Sequence, residues 1–306
     1  MEYLFYMSAL LNQSIFITLA RRDELDCLEI RHPQFSADLL LQGAQLIYFA
    51  PAGDSNWLWL SETAGYKQGV SLRGGIPLCW PWFGNAQMNP EAVKARIFRP
   101  ETAPAHGFVR SRPWHLTSLQ ETDSSVSLSL APDNTDDPQW QSSQPLTLSA
   151  GFVFCQDGIS IRLTTHNHGP ESVTFSQALH SYFPTSDIRQ TAISGADGAR
   201  YLDTLDGWSE QRQQGDIRFR GETDRIYSAA GPFTLSTPQY RRILQSDGSH
   251  SAVVWNPWED KARCLSQFAD DAYLRMFCVE TANAAADAVT LNAGTSHSLQ
   301  LRLSAS

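Results

Sequence analysis

The sequence predicts an all-β protein, one large antiparallel β-sandwich, and three observations predict it. Apolar and polar residues alternate with period two in "SVSLSL" (125–130), "PLTLSAGFVF" (145–154), "ISIRL" (159–163), "VTFSQALHSYF" (173–183) and "HSLQLRL" (297–303). That is the pattern of a strand with its two faces in different surroundings. Turn signals separate these runs: Asp157-Gly158, His168-Gly169-Pro170, Asp206-Gly207 and Asp247-Gly248. Long helical periodicity is scarce, and no linker, internal repeat, heptad or glycine-rich phosphate loop divides the 306 residues.

Composition narrows the class. A 42% hydrophobic share with 18% charged residues excludes a disordered or coiled-coil chain. Net charge is -9, which argues against nucleic acid and anionic membrane as partners. The charge is uneven, however: Arg73 to Arg112 holds six basic and two acidic residues, about +4, against near -13 elsewhere. An anion would bind there if anywhere. The five cysteines show no C-x-x-C spacing and read as free thiols in a reducing compartment. The start, "MEYLFYMSALLNQSIFITLA", lacks a basic leader and is broken by Asn12-Gln13-Ser14. Residues 1–24 are expected to be an extension packed on a single domain of residues 25–306, in the cytoplasm.

Taken in chain order, "SLRGGIPLCWPWFG" (71–84) sets one arginine beside two glycines and a crowd of rings. Arg73 is either a buried structural fork or a ligand's anchor, and the glycines permit close backbone approach or unusual dihedrals. An irregular loop is expected over 85–105, with Lys94, Arg96 and Arg99 either near the anion or solvated. In "HGFVR" (106–110) an extended chain puts His106, Phe108 and Arg110 on one side, a second arginine near an imidazole. Residues 131–144 read as a mobile surface loop. His166 and His168 share a strand face, as zinc sites often do, but lack a third ligand nearby in sequence, so a solvated strand end is the better reading.

In the run 173–183, His180 stands with Thr174, Ser176 and Ala178 on a small, polar face, where a cavity would let the imidazole exchange protons. A structural histidine is the alternative. Asp224 in "ETDRIY" precedes a short strand and reads as a turn residue or an acceptor for hydroxyls. "YLRMFCVETAN" (273–283) reads as a strand with Met276, Cys278 and Glu280 on one face. A carboxylate ending an apolar strand is either salt-bridged or a base whose pKa burial has raised.

"RGGIPLCWPWFG", "AHGFVR", "ALHSYF", "TDRIY", "VVWNPW" and "FCVETA", in this order, resemble the hexose-6-phosphate 1-epimerases of the aldose 1-epimerase (galactose mutarotase-like) superfamily, over roughly residues 25 to 303. The resemblance implies a large β-supersandwich. It implies His180 as general acid/base and Glu280 as catalytic carboxylate, with Arg73, Arg110 and Asp224 contacting substrate and His106 beside them. Some relatives carry a glutamine where this chain has Ala105, so that contact is missing.

The implied reaction interconverts α and β anomers. A base takes the C1 hydroxyl proton, an acid protonates the ring oxygen, the C1–C2 bond of the aldehyde turns, and the ring recloses. No metal or redox cofactor is expected, and the partner is a hexose 6-phosphate met by a monomer. The phosphate carries about -1.5 to -2 charges, which bidentate guanidinium groups suit. The tryptophans of 80–82 would stiffen the wall or offer a face to the sugar. Open alternatives are a non-catalytic sugar-phosphate sensor, an epimerase of unphosphorylated aldoses, and a glycan lyase or hydrolase.

Overall fold

The computed structural model describes residues 2–140 and 145–306, with side chains from Met7 onward. Of the loop expected over 131–144, residues 141–144 lie outside the described residues.

Four of the five alternating runs become strands of a nine-stranded antiparallel sheet. Its centre is Ser296–Ala305 between Arg241–Asp247 and Gly158–Asn167, followed outward by Leu146–Cys155, Ser125–Pro132 and Trp114–Glu121. Alternation aims Leu128, Leu130, Phe152, Phe154, Ile161 and Leu163 inward, each at most 2% exposed.

Facing it is an eight-stranded sheet that carries the site. Its order runs Ser209–Arg212, Arg200–Asp203, Thr223–Tyr227, Ser251–Asn256, Met276–Asn283, Gln177–Leu179 and Leu78–Cys79, with Tyr182–Pro184 also pairing to Met276–Asn283. One face of this sheet offers Tyr227, Val254, Phe277, Val279 and Leu179 to the main core. The opposite face collects Ile226, Val253, Ala178 and Ala282 in a second, smaller cluster. With both faces covered at the centre of this sheet, Met276–Asn283 is buried at every position.

A four-stranded meander of Ile17–Arg22, Leu25–His32, Phe35–Leu40 and Gln45–Pro51 closes the sandwich, with Phe35, Phe49, Leu28 and Leu39 in the same core. Ile17–Arg22 pairs in full register with Leu25–His32, so the segment expected as an extension supplies a strand. Ahead of it, the helix Glu2–Asn12 lies against Trp114–Glu121, and the Glu121 carboxylate accepts from Ser14 Oγ (2.6 Å) and the Ile15 amide (2.8 Å). No described helix is long and apolar enough to cross a membrane.

Three local expectations are corrected. The run 173–183 is not one strand: it splits into Val173–Phe175, Gln177–Leu179 and Tyr182–Pro184, each with different partners. Ser176 breaks it by hydrogen-bonding Asn89 and the Phe83 amide, and the His180 amide turns to the Pro77 carbonyl. The strand at 273–283 starts only at Met276, because Ala272–Arg275 is a 3-10 turn. Asp224 is not a turn residue but lies within Thr223–Tyr227.

Candidate active site

The floor of the site is the second face of the eight-stranded sheet. Register aligns Ile226 with Val253 and Val253 with Glu280 in one row, and Asp224 with Trp255 and Trp255 with Cys278 in the next. Because side chains alternate, both rows point the same way. His180 falls between two pairings to the Glu280 strand, Leu179 with Thr281 and Tyr182 with Cys278. That places an imidazole beside the carboxylate from the neighbouring segment.

One wall is the Arg73-Gly74-Gly75 segment. The Gly75 carbonyl accepts from the Tyr182 amide, and the Pro77 carbonyl from the His180 amide, each at 3.0 Å. Gly75 has φ +63°, and a Cβ there would sit 2.1 Å from the Leu46 carbonyl oxygen. The close approach is therefore backbone to backbone, and it delivers Arg73 next to His180.

The other wall is built when 80–84 clips onto 106–110. The Phe108 amide donates to the Trp80 carbonyl, and the His106 amide to the Gly84 carbonyl. Gly107 (φ +69°) would place a Cβ 2.0 Å from the Trp80 carbonyl oxygen. The extended reading of 106–110 is thus corrected: His106 has φ +67° and Val109–Ser111 is a 3-10 turn. His106 and Arg110 still face the same cavity. The tryptophans are corrected too. Trp80 and Trp82 are fully buried, donating to Thr165 Oγ1 and the Pro104 carbonyl, and offer no face to a ligand.

Between these walls lies a cavity of about 400 Å³, a usual size for a small-molecule site. All six expected residues, Arg73, His106, Arg110, His180, Asp224 and Glu280, line it. Lys94, Arg96 and Arg99 do not, Lys94 being paired with Glu91. His166 and His168, with rings 4.0 Å apart, bond Ser296 and Thr147 on the far sheet.

His180 Nε2 lies 3.4 Å from Glu280 Oε1, with Glu280 1% and His180 7% exposed. The His180 ring stacks on Tyr182 at 4.6 Å, and the His106 ring meets it edge-on at 5.3 Å. Burial first, then the carboxylate of Asp224, raises Glu280 well above the usual range. Burial, then Arg110, then Arg73, pushes His180 down to about 3. Burial thus favours the uncharged form of both groups, the carboxyl with its proton and the imidazole without one. Burial, followed by Arg110, His180 and Arg73, lowers His106 well below its ordinary value, and its Nδ1 accepts from the Gly84 amide.

The guanidiniums are free for a ligand. Arg73 donates Nε to the Ser266 carbonyl and Arg110 donates Nη2 to the Ala105 carbonyl, and among the described residues neither is ion-paired. Asp224, raised chiefly by burial, faces Lys261, itself bound to Glu222 at 2.9 Å. Donor atoms of His180, Cys278 and Glu280 lie within 4.8 Å of one another. Burial holds protons on both the thiol and the carboxyl, so the trio suits proton transfer better than cation binding.

Among the lining residues that had no assigned role in the sequence are Trp208, Trp255, Lys261 and Asn89. Trp255 sits inside the quoted "VVWNPW", and period-two counting from Val253 would have put it on the floor. The others come from loops and a short helix that periodicity does not reach.

The family model described as aldose 1-epimerase matches residues 26–304. A relative from Escherichia coli (strain K12), provisionally named glucose-6-phosphate 1-epimerase, is 34% identical over 278 residues, 89% of this chain and 88% of its own. One of the same provisional name from Cenchrus ciliaris is 30% identical over 88% of this chain and 81% of its own. A solved structure from Salmonella typhimurium, provisionally called a mutarotase, superposes with a TM-score of 0.83 at 27% identity, covering 98% of each chain. A galactose mutarotase-like protein from Lactobacillus casei (TM-score 0.67, 15% identity, covering 91% of this chain and 99% of its own) shares the fold.

Proposed function

The chain belongs to the aldose 1-epimerase family, and from that premise we propose that it is a hexose-6-phosphate 1-epimerase, interconverting the anomers of glucose 6-phosphate or a close relative. One observation carries the reading: a buried imidazole and carboxyl 3.4 Å apart, with two unpaired guanidiniums beside them. The relatives provisionally named for glucose 6-phosphate support the same substrate class.

The order of charges supports an orientation. Arg110 and Arg73 act on His180, whereas the charged neighbour of Glu280 is Asp224. A pyranose 6-phosphate runs phosphate, C6, C5, ring oxygen, C1, hydroxyl. Laid along the pocket with its phosphate on the arginines, it brings the ring oxygen to His180 and the C1 hydroxyl to Glu280. Asp224 is then left for the hydroxyls beyond C1, and the His106 ring for the edge near the ring oxygen.

Ring opening follows from that pose. Glu280 takes the C1 hydroxyl proton as base and His180 gives a proton to the ring oxygen as acid, while the C1–O5 bond breaks. This leaves a neutral carboxyl and a neutral imidazole, the state that burial favours. After the C1–C2 bond turns, the roles reverse and the ring closes on the other carbonyl face. Each partner of such a pair contributes about 10²–10⁴-fold. The test is anomer-exchange NMR on glucose 6-phosphate, galactose 6-phosphate and free glucose; equal acceleration of all three would remove the phosphate from the reading.

A further inference from the structure

Arg73 and Arg110 line the same cavity as His180, the group that carries a proton to the ring oxygen in the reading above, and their charges act on it. We propose that the bound phosphate dianion is an activator as well as a handle: docking on Arg73 and Arg110, it moves the shared proton from Glu280 to His180 and so arms the pair for ring opening. This rests on the function proposed above and adds a role for the anion that binding alone does not require.

The geometry supplies the path. His180 Nε2 faces Glu280 Oε1 at 3.4 Å, a few tenths of an ångström longer than a hydrogen bond, so a small approach of the two side chains lets one proton pass between them. The transfer balances without any outside donor: the Oε1–H bond breaks, the Nε2–H bond forms, and a neutral pair becomes a carboxylate and an imidazolium. The closed sugar needs that second form, since a protonated carboxyl cannot take the C1 proton.

The surroundings decide which form is held. Around His180 stand the His106 and Tyr182 rings, Trp255, the Glu280 carboxyl, the Cys278 thiol, and the cations Arg73 and Arg110. Burial keeps the thiol and the phenol protonated, and His106 is neutral. The arginines are therefore the charges that repel a proton from His180, with burial the larger effect. A dianion between them opposes their field at the buried His180, where charges act more strongly than in water. Each unit by which His180 recovers basicity raises the armed fraction about tenfold.

The alternative is that the arginines only hold the substrate. The two differ when the phosphate is cut from the sugar. D-xylose is a pyranose lacking C6, and phosphite is a tetrahedral dianion small enough for the vacant end. Anomer exchange of xylose by the full chain is measured with and without phosphite, taking Glu280→Gln as the blank for buffer catalysis and glucose 6-phosphate as a parallel substrate. The expected result is a saturable rise in enzyme-dependent xylose exchange of about tenfold or more, lost in Arg73→Ala. Nitrogen NMR of the His180 imidazole, assigned by its loss in His180→Asn, is expected to move toward imidazolium as phosphite is added. Rapid exchange of glucose 6-phosphate with no phosphite effect on xylose overturns the activation and leaves a handle only. If glucose 6-phosphate itself is not exchanged, the proposed function fails instead. The imidazole titration then still decides the activation: an unmoved His180 signal on phosphite saturation overturns it.

Discussion

The Nε2 of His180 faces the Oε1 of Glu280 at 3.4 Å, although the two residues come from segments far apart in the chain. Their meeting is a consequence of sheet order, since Gln177–Leu179 and Tyr182–Pro184 both pair with Met276–Asn283 and the residues between them are held against Glu280. Both groups are buried, and each has one polar atom, His180 Nδ1 and Glu280 Oε2, without a partner among the described residues. Such unsatisfied buried atoms cost stability.

The cost has a pH signature of opposite sign for the two residues. Glu280 is raised in the folded chain, so its contribution is intact below the ordinary carboxylate value of 4.5 and is lost as pH rises above it. His180 is lowered to about 3, so its contribution is intact above 6.5 and is lost as pH falls from there. Denaturant titrations at several pH values should show Glu280→Gln gaining on the wild type with rising pH, by up to about 1.4 kcal/mol per unit within that window. His180→Asn should gain on it with falling pH below 6.5. Stability differences that are flat in pH would mean the pair is solvated rather than buried.

Replacing an arginine should separate phosphorylated from free sugars. Arg73→Ala or Arg110→Ala removes a charged hydrogen-bonding partner worth about 1.5–3 kcal/mol, or roughly ten- to more than hundredfold in affinity. Isothermal titration with glucose 6-phosphate and with glucose measures this. Equal losses for both ligands would make Arg73 part of the scaffold.

Asp224→Asn removes the negative charge that helps hold the proton on Glu280. The pair, which works with one shared proton, then gives that proton up at lower pH, so the alkaline limb of the kcat/KM profile should move to lower pH. KM should also rise, from lost contacts to the hydroxyls. A limb that stays in place would detach Asp224 from Glu280.

Gly107→Ala tests how the wall is made. A Cβ at 2.0 Å from the Trp80 carbonyl oxygen, at φ +69°, cannot be accommodated without moving backbone. That backbone carries His106 and leads to Arg110. The variant should lose more than about 1 kcal/mol of stability and most of its activity. Gly84→Ala meets nothing within 4 Å although it too has positive φ, so it should keep more of both.

Much of this arrangement was legible in the sequence, for identifiable reasons. Period two exposed four strands of the nine-stranded sheet because these are long and alternate buried with partly solvated positions. The same counting put Glu280 and Cys278 on one face, as the sheet register has them, whereas the single face drawn through Thr174, Ser176, Ala178 and His180 is broken up. It failed where the chain changes partners. The break at Ser176 and the turn at His180 are made by Asn89, Phe83 and Pro77, which lie elsewhere in the sequence. The meander of 17–51 is buried on several strands' both faces, and so shows little alternation. The tryptophans of 80–82 were legible as a stiff wall but not as core, since ring density alone does not tell which side is wet. Nor could the sequence reveal that Gly75 and Gly107 admit backbone rather than ligand.

Anomer exchange of glucose 6-phosphate, followed by NMR for the wild type, Glu280→Gln and His180→Asn, tests the central claim most directly. The account predicts enzyme-dependent exchange in the wild type and a loss of about 10²–10⁴-fold in each folded variant. Wild-type exchange no faster than in buffer, or full activity in Glu280→Gln, would contradict it.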